Sequence, residues 1–230
     1  MKVAVSSSSF AQPLAAGELT QLEWLERCAS DLAADGVIFA REHFPRTDAE
    51  YVAQVKKVAV DVGLVPVALD AGGLLDPGGP SVDDVFALAA GLGVLFVLTR
   101  LPASGDVPPA TFVAAVIAAK AAVREAKRVN VTILAAPAAG TIGADIAGVK
   151  HFLKDVDSAW LRLAVPGDLE SGILGARDRA LVAFVGDSDA ATFAEDARPW
   201  LVLEGPADAQ RVRLLREAAA KKTLVGTNAF

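Results

Sequence analysis

The feature that most narrows the folds open to this chain is a repeated switch between two hydrophobic periods. Short apolar runs alternate with longer segments whose apolar residues fall three or four apart, about eight times along the chain. A short apolar run bounded by turn residues reads as a buried strand, and the longer period reads as an amphipathic helix. Strands are expected over Lys2–Ser6, Val37–Ala40, Leu64–Leu69, Val94–Leu98, Val131–Ala135, Trp160–Val165, Ala180–Val185 and Trp200–Glu204. Between them lie helical patterns over Leu19–Leu32, from Asp48 to Gly63, over Val82–Ala90, from Pro108 to about Arg128, over Ala144–Val156 and over Ala207–Lys221. Two weaker helices are expected around Leu169–Ala176 and Ala190–Ala197. Asp48 and Ser81 stand where N-caps belong, and Gly63 and Gly91–Gly93 stand where helices stop.

Parallel neighbours need crossover connections, and helices supply them. Eight such units in 230 residues favour a sheet closed on itself, a (β/α)8 TIM barrel in one domain over residues 1–230, and no linker composition divides the chain. The open dinucleotide-binding sheet loses ground, because Ser6–Ser9 follow the first strand where a glycine-rich turn would be needed. A Walker-type phosphate loop is also missing.

The charge balance narrows the partners. At a net charge of -6 the chain repels phosphate-rich surfaces, so neither nucleic acid nor an acidic membrane is an expected partner. The Ala-rich run Ala110–Val123 is interrupted by Lys120 and falls short of the roughly 18 apolar residues that span a bilayer. The opening MKVAVSSSSF is too short for a signal-peptide core, so a cytoplasmic location is the expectation. The lone Cys28 sits on a helical stripe beside Leu25 and Leu32 and reads as a core residue. The sequence does not set an oligomeric state, a homodimer through the outer helices being one arrangement open to it.

The strand ends carry a resemblance. A serine-bearing first strand leads to LTQLEWLERCASDLAADGV, a strand ending near REHFP, and then DAEYVAQVKKVAVDVGL. This run resembles the sugar phosphate isomerase/epimerase family, the xylose isomerase-like barrels that include the AP endonuclease family 2 repair enzymes. The resemblance implies a divalent metal held by a glutamate, an aspartate, a histidine and a glutamate after the fifth to eighth strands. Carried over by position, Ala136, Val165 and Phe184 stand in the first three places, and Glu204 alone keeps the expected chemistry. A shift of one or two residues would bring Asp168 or Asp187 into a ligand place, but the Pro166-Gly167 pair argues for the register as written. The expectation is a barrel without a metal or other cofactor, because methyl, isopropyl and phenyl groups offer no donor atom.

The remaining polar groups at strand ends define the candidate site. Glu204 and His43 are the candidate acid/base pair, with Glu42, Asp70, Arg100, Asp168 and Asp187 as candidates for binding a sugar-like small molecule. Each has a plainer reading beside it. His43 lies between charged neighbours in REHFPR, as solvated loop histidines do, and Arg100 is well placed to pair with Asp70 or Glu42 as structure. His151 falls on an outer helix, and Arg211, Arg213, Arg216, Lys221 and Lys222 read as an exposed face. Three functions compete: a metal-free sugar isomerase or epimerase, a barrel that binds a small ligand or protein without catalysis, and phosphodiester cleavage. The last needs a metal cluster and a basic groove that this chain lacks.

Overall fold

All eight strands form, pair in parallel in sequence order, and close when the eighth returns to the first. They are β1 (Val3–Ser6), β2 (Gly36–Ala40), β3 (Val65–Asp70), β4 (Phe96–Arg100), β5 (Thr132–Ala136), β6 (Leu161–Val165), β7 (Ala180–Val185) and β8 (Trp200–Leu203). The computed structural model describes residues 2–104, 108–165, 180–185, 200–203 and 205–226. The helices expected around Leu169–Ala176 and Ala190–Ala197 lie outside them. Among the described residues no helix is long and apolar enough to cross a membrane.

Strand residues divide by alternation into two cores. Val5, Phe39, Leu69, Val97, Ile133 and Leu163 point outward and pack under the helices. Ala4, Ile38, Ala68, Leu98, Ala164 and Val202 fill the barrel itself, small residues interleaved with large ones as a narrow interior requires. At the N-terminal end Trp200 floors the barrel and remains 9% exposed. Gly36 makes room for it: a Cβ there would sit 2.6 Å from Val67 Cγ2, 2.7 Å from the Val65 carbonyl and 3.0 Å from the Trp200 ring.

The helices are α1 (Ala11–Ala16), α2 (Gln21–Ser30), α3 (Ala49–Asp61), α4 (Val82–Leu92), α5 (Pro108–Val129), α6 (Ile146–Val156) and α7 (Ala209–Gly226). The expected caps are present: the Asp48 carboxylate accepts from Tyr51 N–H, and the Ser81 hydroxyl from Asp84 N–H. Thr20 and Glu23 form a reciprocal capping box on α2. Cys28 is buried in the outer core, as expected, and burial pushes its thiol up to about 12.

Three features depart from the expectation. A 3-10 turn over Ser7–Phe10 and the six-residue α1 follow β1, too short for a helical period to show in sequence. β4 runs two residues later than its apolar run suggests, because Thr99 and Arg100 are drawn into the sheet by pairing with Ala135 and Ala136. Arg216 is not part of a free basic face: its guanidinium meets the Asp35 carboxylate at 3.0 Å and the Ala33 carbonyl.

Candidate functional site

The C-terminal mouth is built from the last inward position of each strand. Ala40 of β2 pairs with Asp70 of β3 and Asp70 with Leu98 of β4, while Arg100, two residues beyond Leu98 on the same inward face, pairs with Ala136 of β5; Ile38, a barrel-interior residue, pairs with Ser6 of β1. Just past β2, a 3-10 turn carries Glu42 and His43 over the same edge. Four of the candidate residues, Glu42, His43, Asp70 and Arg100, are therefore neighbours in space although far apart in the chain.

His43 is not a free loop histidine. Its Nδ1 lies 2.9 Å from the Ser7 hydroxyl, which is fully buried and also accepts from the Ala40 N–H at 2.8 Å. The Ala40 N–H takes one of the hydroxyl's two acceptor positions, and its O–H is free to donate to Nδ1 in the tautomer that carries the ring proton on Nε2. Ser7 thus holds the imidazole in place. It is a positioning group: a hydroxyl with no exposed surface cannot itself meet a ligand. Sequence reading passed over Ser7, and the signal lay in the serine run after β1.

Asp70 ends β3 half-buried, and its Oδ1 accepts from Gly72 N–H at 2.9 Å. The turn is secured from behind, since the Gly72 carbonyl accepts from the buried Thr99 hydroxyl and from Arg100 N–H, each at 2.9 Å. Gly72 has φ +60°, a left-handed conformation that glycine adopts without strain. Burial pushes the Asp70 carboxyl above the ordinary carboxylate range. The Gly72 N–H opposes that shift, Glu42 adds to it, and Arg100 and His43 oppose it again. Arg100 is exposed and acts on Asp70 through space, without a direct ion pair between them.

The metal positions implied by the resemblance fare unevenly. Ala136 and Phe184 face the barrel interior, partly buried against its core, and offer no donor to a cation. Val165 belongs to the outer core, so any side chain in its place would face the helices. The correspondence at β6 is therefore corrected: the inward residues of that strand are Arg162 and Ala164, which pair through Leu134 and Val182 with the interior positions of β5 and β7. Among the described residues no group of three or more His, Cys, Asp or Glu side chains could hold a metal ion. Glu204, Asp168 and Asp187 lie outside the described residues. His151 lies on the outer ring as expected, stacked on Phe112 at 4.4 Å and close to Asp155.

No family model matches the chain, and no curated protein matches it in sequence. Solved structures do match. An L-ribulose 3-epimerase superposes with a TM-score of 0.73 at 15% identity, covering 100% of this chain and 99% of its own. The probable 3-DHS dehydratase involved in petrobactin synthesis from Bacillus anthracis gives 0.72 at 13% identity with complete coverage of both chains (100% and 100%). A xylose isomerase domain protein from Alicyclobacillus acidocaldarius gives 0.72 at 15%, covering 99% of this chain and 100% of that one. Closed barrel, strand order and full-length superposition agree: this chain has the fold of the xylose isomerase-like TIM barrels.

Proposed function

We propose that this protein is a sugar isomerase- or epimerase-like barrel that moves a proton beside the carbonyl of a small polyhydroxy ligand. It does so without a divalent cation at the places where Ala136 and Phe184 stand. The observation that carries the reading is the convergence of His43, Asp70 and Arg100 at the mouth, with His43 held from behind by buried Ser7.

The chemistry follows from those groups. A base takes the proton on the carbon next to the carbonyl, the C–H electron pair forms a C=C bond, and charge develops on the carbonyl oxygen. His43 Nε2 is the atom free to exchange a proton, with Nδ1 committed to Ser7. Arg100 supplies fixed positive charge for the developing oxyanion. Asp70 serves as the second acid/base group, and Glu204 joins it on the strength of the sequence resemblance alone. Returning the proton to the former carbonyl carbon, while the neighbouring hydroxyl gives up its proton and the former carbonyl oxygen gains one, isomerises the sugar; returning it to the opposite face of the same carbon epimerises it.

A second reading is a barrel that binds such ligands without turnover, favoured by the hydrocarbon of Ala136 and Phe184 at the mouth. One experiment separates the two. A panel of keto- and aldo-sugars is incubated with the protein in D2O, and exchange at the carbon beside the carbonyl is followed by NMR. Exchange that survives chelation and falls at least ~100-fold in His43→Gln and Glu204→Gln supports catalysis, since a positioned acid or base contributes roughly that much. Thermal stabilisation by a sugar without exchange selects the binding barrel. One divalent ion per chain by elemental analysis, with activity lost on its removal, overturns the metal-free mechanism.

A further inference from the structure

On the outer ring, away from the candidate site, α5 begins with a stretch that carries no charge. From Pro108 through Ala119 every residue is apolar except Thr111. Ala115 and Ala119 are buried against the barrel, as the inner stripe of a helix should be. The opposite face is apolar as well: Val113 and Ile117 are 56% and 64% exposed, and Pro109, Ala110 and Ala114 are exposed around them. A surface helix ordinarily turns polar residues to that side, so this stripe calls for a partner. Beside it α5 and α6 flank a groove of about 760 Å³, lined by Phe112, Ile142, Ala144, Ala147, Gly148 and His151. A ridge of two branched side chains thus stands next to a recess walled largely by small ones. The charges around the patch are sorted by sign. Further along α5, at helical spacing, Lys120 and Arg124 continue the exposed face of Val113 and Ile117. Across the groove α6 presents Asp145 and Asp155.

We propose that this face binds a second copy of the chain, α5 antiparallel to α5, about a two-fold axis between Val113 and Ile117. A two-fold interface must be self-complementary, and this patch carries both ridge and recess. Each copy sets Val113 and Ile117 into the groove of the other. Charge selects the direction. His151 is stacked on Phe112 at 4.4 Å, which sets those two residues level on neighbouring helices. Counting from them at 1.5 Å per residue, Asp145 lies roughly 13 Å from the axis toward the start of α5, and Arg124 as far the other way. Antiparallel pairing therefore brings Arg124 of each copy to the level of Asp145 of the other. Parallel pairing sets Arg124 against Arg124 and Lys120 against Lys120, a like-charge contact. A lipid surface would cover the stripe but leave Asp145 and Asp155 facing headgroup phosphates. The interface stands apart from the proposed proton transfer and does not depend on it.

Sedimentation velocity of the full chain over a rising concentration series tests this. The parent is expected to pass from one chain to two and no further, since a closed two-fold contact leaves no open end. Ile117→Glu, at a solvent-facing position, should stay monomeric at every concentration with its melting temperature unchanged. Arg124→Glu should weaken the dimer about tenfold or more, because two exposed ion pairs are replaced by two like-charge contacts. Asp145→Asn keeps an oxygen for the Gly148 N–H and should recover part of that loss when combined with Arg124→Glu. Leu214→Glu alters a similarly exposed apolar residue of α7 and should dimerise as the parent does. The proposal is overturned if the parent stays monomeric at the highest concentration, and binding of that monomer to phosphatidylcholine–phosphatidylserine vesicles would assign the face to lipid instead. It is also overturned if Ile117→Glu dimerises like the parent, if Leu214→Glu alone abolishes the dimer, or if adding Asp145→Asn to Arg124→Glu recovers nothing.

Discussion

Asp70 is the residue on which the mouth's electrostatics converge. Its proton is held more firmly in the folded chain than in the unfolded one, chiefly because burial penalises the charge. The folded state therefore keeps a proton the unfolded state has already released, and stability falls as pH rises from the ordinary carboxylate value through the raised one. Asp70→Asn keeps an oxygen for Gly72 N–H and removes the ionisation. It should melt about 2–4 °C above the parent at neutral pH, the change that roughly 1 kcal/mol makes in a domain of this size. The gap should close as pH falls below the ordinary carboxylate value; a gap constant with pH would show that Asp70 is not ionising against its surroundings. At this scale the sequence was legible in part. Glu42, His43, Asp70 and Arg100 were recognisable as strand-end polar groups. The grip of Ser7 on His43 was not, since it arises from a contact between segments that no local pattern encodes.

At the scale of the element, what could be read from sequence was what local chemistry decides. Asp48 and Ser81 cap α3 and α4 because a short side-chain oxygen ahead of an apolar stripe satisfies a helix's first N–H groups wherever the chain goes next. Strand ends are another matter. Arg100 belongs to β4 because Ala136 pairs with it, and Val165 faces outward because of the register set with Leu163 and its neighbours on β7. A residue count from a Pro-Gly turn could not foresee that facing, because one step along a strand reverses the side chain. Gly36 is the element-scale test. Its missing Cβ lets β3 and the Trp200 ring close on β2, so Gly36→Ala should cost about 1–3 kcal/mol by overpacking. Thermal unfolding would show the loss, and Gly36→Ala with Trp200→Phe should recover part of it. An unchanged melting temperature in the single variant would mean that the floor is not packed as described.

For the whole molecule, eight alternations implied closure, but the residues that fasten the closed ring were hidden. Asp35 does much of that work, just before β2. Its carboxylate accepts from Val3 N–H at 2.8 Å and meets Arg216 of α7 at 3.0 Å. Its backbone N–H donates to the Val3 carbonyl at 2.9 Å, and its own carbonyl accepts from Val65 N–H at 3.1 Å. One residue thus ties the start of β1 to β3 and to the last helix, beside the seam where β1 meets β8. The two side-chain bonds are not equal. Asp35 and Arg216 keep 34% and 40% of their side-chain surface in solvent, so the ion pair is screened and worth at most about 1 kcal/mol. The Val3 N–H belongs to a fully buried residue and has no ready substitute for its acceptor. Asp35→Ala should therefore cost about 1–2 kcal/mol and lower the melting temperature by roughly 2–8 °C. Asp35→Asn, which keeps the acceptor and drops the charge, should cost less than half as much, and high salt should erase most of the difference between it and the parent. If Asn proves as costly as Ala, charge and not the buried hydrogen bond fastens the ring.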